Sequence, residues 1–95
     1  MKIIKLQPSP LKTKRYRVIL EDNSHYDFGL KGGKTYLDGA TDAARSAYRL
    51  RHVANETEHN LIKNYTPSAA TFSYHLNWGS SRNIRENIQE LNKHL

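Results

Sequence analysis

The sequence predicts an α+β fold: an N-terminal antiparallel β-hairpin, extended to three short strands if the first residues pair, followed by three helices packed on it. Three observations lead there. Apolar residues alternate with polar ones through residues 14–28, glycines punctuate residues 29–39, and from residue 41 onward apolar residues recur at steps of three and four. Residues 1–13 form a basic N-terminal arm or edge strand, and residues 14–95 a single small globular domain.

Met1 to Leu6 alternates weakly, and Pro8 and Pro10 then interrupt regular structure, because each lacks an N–H and restrains its predecessor. In Lys14 to Leu20, Tyr16, Val18 and Leu20 fall on one face, opposite Arg15, Arg17 and Ile19. Glu21 to Ser24 has turn composition, and His25 to Phe28 alternates again. Paired, the two runs place Tyr16, Val18, Leu20, Tyr26 and Phe28 on an inner face and Arg15, Arg17 and Asp27 on an outer one. Thr41 is the expected N-cap of the first helix, with Asp42 at its positive end. Its apolar face reads as Ala43, Ala47, Leu50 and Ala54, with Arg45, Arg49 and His52 on a polar flank, and it is expected to stop near Asn55 to Thr57. Glu58 to Tyr65 fits either a helical turn or a loop. Thr66-Pro67 starts the second helix, with Ala69, Phe72 and Leu76 as its stripe. Gly79 stops it, and Ile84, Ile88, Leu91 and Leu95 mark the last. The expected core is Val18, Leu20, Phe28, Ala47, Leu50, Phe72, Leu76, Trp78, Ile84, Ile88 and Leu91.

A chain this long buries roughly 60 to 65% of its unfolded surface, enough for one modest core and little room for a deep catalytic cleft. Without cysteine there are no disulfides or thiolate metal sites. The longest apolar run is Val18-Ile19-Leu20 and the N-terminus lacks a secretory h-region, so neither membrane insertion nor secretion is expected. The net charge of +6 is uneven: residues 1–17 carry Lys2, Lys5, Lys12, Lys14, Arg15 and Arg17 and no acid, while the rest of the chain is balanced. A one-signed segment of this kind is the footprint of attraction to an anionic partner, set against the plainer reading of a solubilising end.

Gly29-Leu30-Lys31-Gly32-Gly33-Lys34-Thr35 resembles a phosphate loop and fails on spacing: that motif needs four residues between its first glycine and Gly-Lys-Thr, and three are present. The segment reads as a basic glycine turn. The five histidines show no compact ligand pairing. No nucleophile elbow or placed carboxylate pair occurs, so a non-enzyme is expected, with no cofactor. Tyr16, Tyr36 and Tyr48 sit beside basic residues as a base-stacking set would. For Tyr16 and Tyr48 the alternative is a place in the core.

From Tyr16 to Ile88 the chain resembles a family of small, functionally uncharacterised proteins encoded by large nucleocytoplasmic DNA viruses. The likeness rests on Phe28-Gly29 ending a hairpin, then Tyr36 and Asp38, and a basic helix with Tyr48-Arg49-Leu50-Arg51-His52. It continues through Ala69 to Phe72 and Leu76-Asn77-Trp78 before a final amphipathic helix. The chain departs from the pattern after Trp78, where Gly79-Ser80-Ser81 replaces a proline-containing turn. The resemblance implies a viral origin and association with virions or DNA, and carries over no catalytic residue.

Two functions are thus expected. The first is a non-enzymatic structural protein of a large DNA virus particle, docking on viral structural proteins through its basic N-terminal segment and found in the virion or the host cytoplasm or nucleus. The second is a nucleic-acid-binding accessory protein, for DNA or RNA, that uses phosphate contacts. The residues expected to meet an anionic partner or phosphate are Lys12, Lys14, Arg15, Arg17, Lys31, Lys34, Arg45 and Arg49.

Overall fold

The alternation in Lys14 to Leu20 is realised as the central strand of a three-stranded antiparallel sheet in the computed structural model, which describes residues 1–95. Strand β1 is Ile3–Pro8, β2 is Lys14–Leu20 and β3 is His25–Leu30. The hairpin register sets Tyr16 against Phe28, Arg17 against Asp27 and Val18 against Tyr26, so the inner and outer faces are those expected from the period of two. Asn23, at φ 68°, makes the tight turn between β2 and β3.

The N-terminal segment forms the edge strand of the molecule's own sheet. β1 pairs with β2 along its length, with one irregularity between Ile3 and Lys5. The C-terminal helix holds it as well: the Ile3 N–H donates to Asn92 Oδ1 at 2.9 Å, and Asn92 Nδ2 donates to the Ile3 carbonyl at 3.2 Å. Ile3 is buried in the core, so the strand is ordered without a partner molecule.

Four helices follow: α1 (Asp42–Ala54), α2 (Glu56–Lys63), α3 (Ala69–Phe72) and α4 (Ile84–Asn92), with a 3-10 turn at Tyr36–Asp38 ahead of them. The segment left open between helix and loop is α2, capped by Asn55, whose side chain accepts from the Glu58 N–H at 3.1 Å. Ser68 rather than Thr66 caps α3, accepting from the Thr71 N–H. α3 widens into a π turn over Ser73–Asn77, closed by the Trp78 N–H on the Ser73 carbonyl at 3.2 Å. The widened turn carries Tyr74, Leu76 and Asn77, all buried. Gly79 ends it where a Cβ would lie 2.3 Å from the His75 carbonyl oxygen, so only glycine fits the exit.

The core is the inner face of the sheet against α3, its π turn and α4: Ile3, Val18, Leu20, Phe28, Phe72, Leu76 and Leu91, flanked by Ile84 and Ile88. Phe72 is its centre, with its ring 6.0 Å from that of Phe28 and 5.4 Å from that of Tyr26. The expectation for α1 is overturned. None of its residues is buried, Ala43, Ala47 and Ala54 are exposed, and Leu50 is 68% exposed. Ala47 and Leu50 therefore lie outside the core, and α1 packs with the face that carries Arg45, Tyr48, Arg49 and His52. No helix is long and apolar enough to cross a membrane.

Candidate functional site

The residues singled out for an anionic partner separate into two groups with different roles. The four arginines among them are engaged within the protein. Arg15 makes a two-pronged pair with Asp38, its second prong at 2.7 Å, and Asp38 in turn accepts from the Thr35 N–H and hydroxyl. Arg17 pairs with Asp27 across the hairpin at 3.0 Å through both prongs. Asp27 also accepts from the buried Ser9 hydroxyl at 2.6 Å, which fastens the chain leaving β1. These arginines hold both carboxyls below the usual carboxylate range.

Arg45 and Arg49 take on a different task, terminating the π turn from the side. Arg45 Nε donates to the carbonyls of Trp78 and Gly79 at 3.2 and 2.9 Å, and Arg49 donates to the Trp78 carbonyl at 2.8 Å. Helix ends leave carbonyls without intrahelical partners, and these two guanidinium groups supply them. Arg49 also lies 4.0 Å above the Tyr74 ring, and burial lowers its pKa. The Tyr48 ring stacks on Trp78 at 4.5 Å and 11°, and its hydroxyl lies 2.9 Å from that of Ser73. His52 meets Glu58 of α2 at 2.6 Å. α1 is thus attached by cations, rings and hydroxyls in place of aliphatic burial. The sequence carried the signal, since positions 45, 48, 49 and 52 share one helical face; the alanines and Leu50 opposite form the more apolar stripe and read as core.

The lysines behave otherwise. Lys12, Lys14, Lys31 and Lys34 have no side-chain hydrogen bond and no carboxylate within ion-pair distance. The sheet brings them to one end. Lys14 is opposite Leu30 at the open end of the hairpin, and the Lys31 N–H donates to the Thr13 carbonyl at 3.0 Å, between Lys12 and Lys14. Lys34 follows through Gly33, whose N–H donates to the Leu30 carbonyl, and it borders the same cavity as Lys14. The nearby carboxylates, Asp27 and Asp38, are neutralised by Arg17 and Arg15. What remains at that end is an uncompensated positive surface.

The basic glycine turn serves a different end from a phosphate loop. Thr35 begins the 3-10 turn, where its backbone and hydroxyl engage Asp38, and α1 starts only at Asp42.

A family of unknown function (DUF5754) matches residues 4–52. The chain belongs to this family. The span that DUF5754 matches runs from β1 to near the end of α1 and contains every lysine of the open sheet end and both arginines that grip Trp78. No curated protein matches the chain, and neither does any solved structure.

A half-buried histidine gives the fold a pH dependence. His75 lies 5.1 Å from Tyr65 in a stack and 3.3 Å from the Ile62 carbonyl, and burial lowers its pKa from the ordinary 6.5, with Arg49 and His94 adding to the effect. The folded pKa is below the unfolded one, so the unfolded chain takes up the proton first. The stability held by neutral His75 is present above about pH 6.5 and is lost as pH falls through the folded value. The melting temperature is expected to fall between about pH 7 and pH 5, and to fall less in His75→Gln. Parallel curves for the two proteins would remove His75 from the account.

Proposed function

We propose that this protein is a non-enzymatic binding module that docks on the phosphate backbone of nucleic acid through Lys12, Lys14, Lys31 and Lys34. The observation that supports it is the contrast between free lysines and engaged arginines. Those lysines converge at one sheet end with no internal partner, while Arg15, Arg17, Arg45 and Arg49 are held by Asp38, Asp27 and main-chain carbonyls. Lysine ammonium groups on flexible stems suit phosphate contacts that carry no sequence preference. A gel shift at two salt concentrations tests the reading: a complex present at low salt and lost at higher salt is expected, and a complex indifferent to salt would contradict it.

The engagement of Arg15 and Arg17 within the fold changes the count of charges free to meet phosphate. Six N-terminal charges would give a log-log salt slope of about −5, whereas the four lysines give about −3.6 on duplex DNA. Deleting residues 1–15 would also remove β1 and the start of β2, so point substitutions are the proper probe.

A second reading, a structural role in the particle of a large DNA virus, draws on the sequence resemblance and on one observation: the outward stripe of α1, Ala43, Ala47, Leu50 and Ala54, has no cover. A protein neighbour is its natural partner. On this reading Leu50→Glu folds and binds DNA normally yet is absent from washed virions. Normal incorporation would dismiss α1 as the docking face.

A further inference from the structure

Asn77 is fully buried at the end of the π turn, and neither its Oδ1 nor its Nδ2 has a hydrogen-bond partner. The contrast with Asn87 is direct. Asn87 spends its whole amide on the exit from that turn, donating to the Leu76 and Ser81 carbonyls at 2.9 and 2.8 Å and accepting from the Ser81 N–H at 3.0 Å. Buried amides are normally paired, so one left empty at both ends points to a partner outside the chain.

Asn77 lines a cavity of about 380 Å³ between the end of β3, α1 and α3, within the size range of ligand sites, roughly 300 to 1,000 Å³. Tyr48 and Trp78 give this cavity an aromatic wall, Ala69 and Ala70 keep another side shallow, and Lys14 and Lys34 stand on its border. On its other side the amide packs directly on the Gly29 backbone: a Cβ there would lie 2.7 Å from Asn77 Nδ2.

We propose that this cavity receives one unpaired nucleobase of a single strand, with the flanking phosphates on Lys14 and Lys34. The inference rests on the phosphate-binding reading above and specifies its substrate. A carboxamide sets a donor beside an acceptor, the complement of a base edge such as that of adenine. Tyr48 is already stacked against Trp78 and His52, so an entering planar ring meets this aromatic stack at its edge, and the lysines supply the charge that the sugar–phosphate chain requires. The amide is closed to solvent in the free protein, so base entry includes a turn of the Asn77 side chain into the cavity it lines. A base inside a duplex has its pairing edge occupied and cannot enter.

Trp78 is the only tryptophan and borders the cavity, which makes it a built-in reporter. Its fluorescence is titrated with a short oligo-dA, with the duplex that strand forms with oligo-dT, and with an abasic strand of equal length. Quenching by the single strand alone is expected, together with about tenfold tighter binding of that strand than of the duplex. Asn77→Leu keeps the shape, removes the amide, and should fold as well as the parent and retain duplex binding while losing the single-strand preference. Equal quenching by the abasic strand, or an undiminished preference in Asn77→Leu, overturns the base pocket. Equal and salt-sensitive binding of all three probes overturns the pocket and leaves the phosphate reading standing, whereas no binding of any probe overturns both. Should Asn77→Leu fail to fold, the comparison of probes on the parent protein decides alone.

Discussion

Phe72→Ala is expected to lower stability by about 3 to 5 kcal/mol, the usual result of emptying a buried aromatic site. The reason lies in where the ring sits. Phe72 has no exposed surface, and it joins the helical layer to the sheet through Phe28 and Tyr26. A domain of this size has a total stability of about 5 to 10 kcal/mol, so the substitution removes a large part of it. The melting temperature should drop by at least about 12 °C. Leu50→Ala is the matched control: with Leu50 largely exposed on α1, the change should stay within about 0.5 kcal/mol. Equal losses from the two substitutions would mean that α1 packs with its apolar stripe inward and that the core is misplaced.

That pair of residues also marks how far the sequence could be read. The hairpin was legible because a period of two admits one pairing of faces, and Val18, Leu20 and Phe28 lie where it puts them. Phe72, Leu76 and Leu91 were legible for the equivalent reason on helices. α1 was legible in its extent and cap, with Thr41 accepting from the Ala44 N–H, but its orientation was reversed. Hydrophobic periodicity ranks alanine and leucine above arginine and tyrosine, and here the arginines are drawn inward by the carbonyls of Trp78 and Gly79, which the end of the π turn leaves facing α1. A π turn has no simple sequence signature, so the burial of Asn77 and the docking of α1 were both hidden. The basic site was half legible. Charge counting found the cations, but telling free ones from engaged ones required the register that sets Arg17 against Asp27 and the fold that brings Asp38 to Arg15.

The second large effect follows from that division. Replacing Lys12, Lys14, Lys31 and Lys34 together by glutamine should leave the melting temperature nearly unchanged, because none of these ammonium groups has a partner in the fold. Affinity for nucleic acid should nevertheless fall roughly a hundredfold or more at low salt, as the phosphate contacts are lost. Arg45→Ala with Arg49→Ala should show the reverse: a loosened α1, since the Trp78 carbonyl loses both donors, with any loss of affinity following the loss of structure.

The salt dependence of duplex DNA binding tests the central claim most directly, measured on the parent protein and on the four-lysine variant. The parent should show a log-log slope of about −3.6, equivalent to a roughly hundredfold loss of affinity between 50 and 200 mM salt, and the variant a slope close to zero. A parent slope near zero, or a variant that keeps the parent's slope, would contradict the assignment of phosphate binding to the lysines at the open end of the sheet.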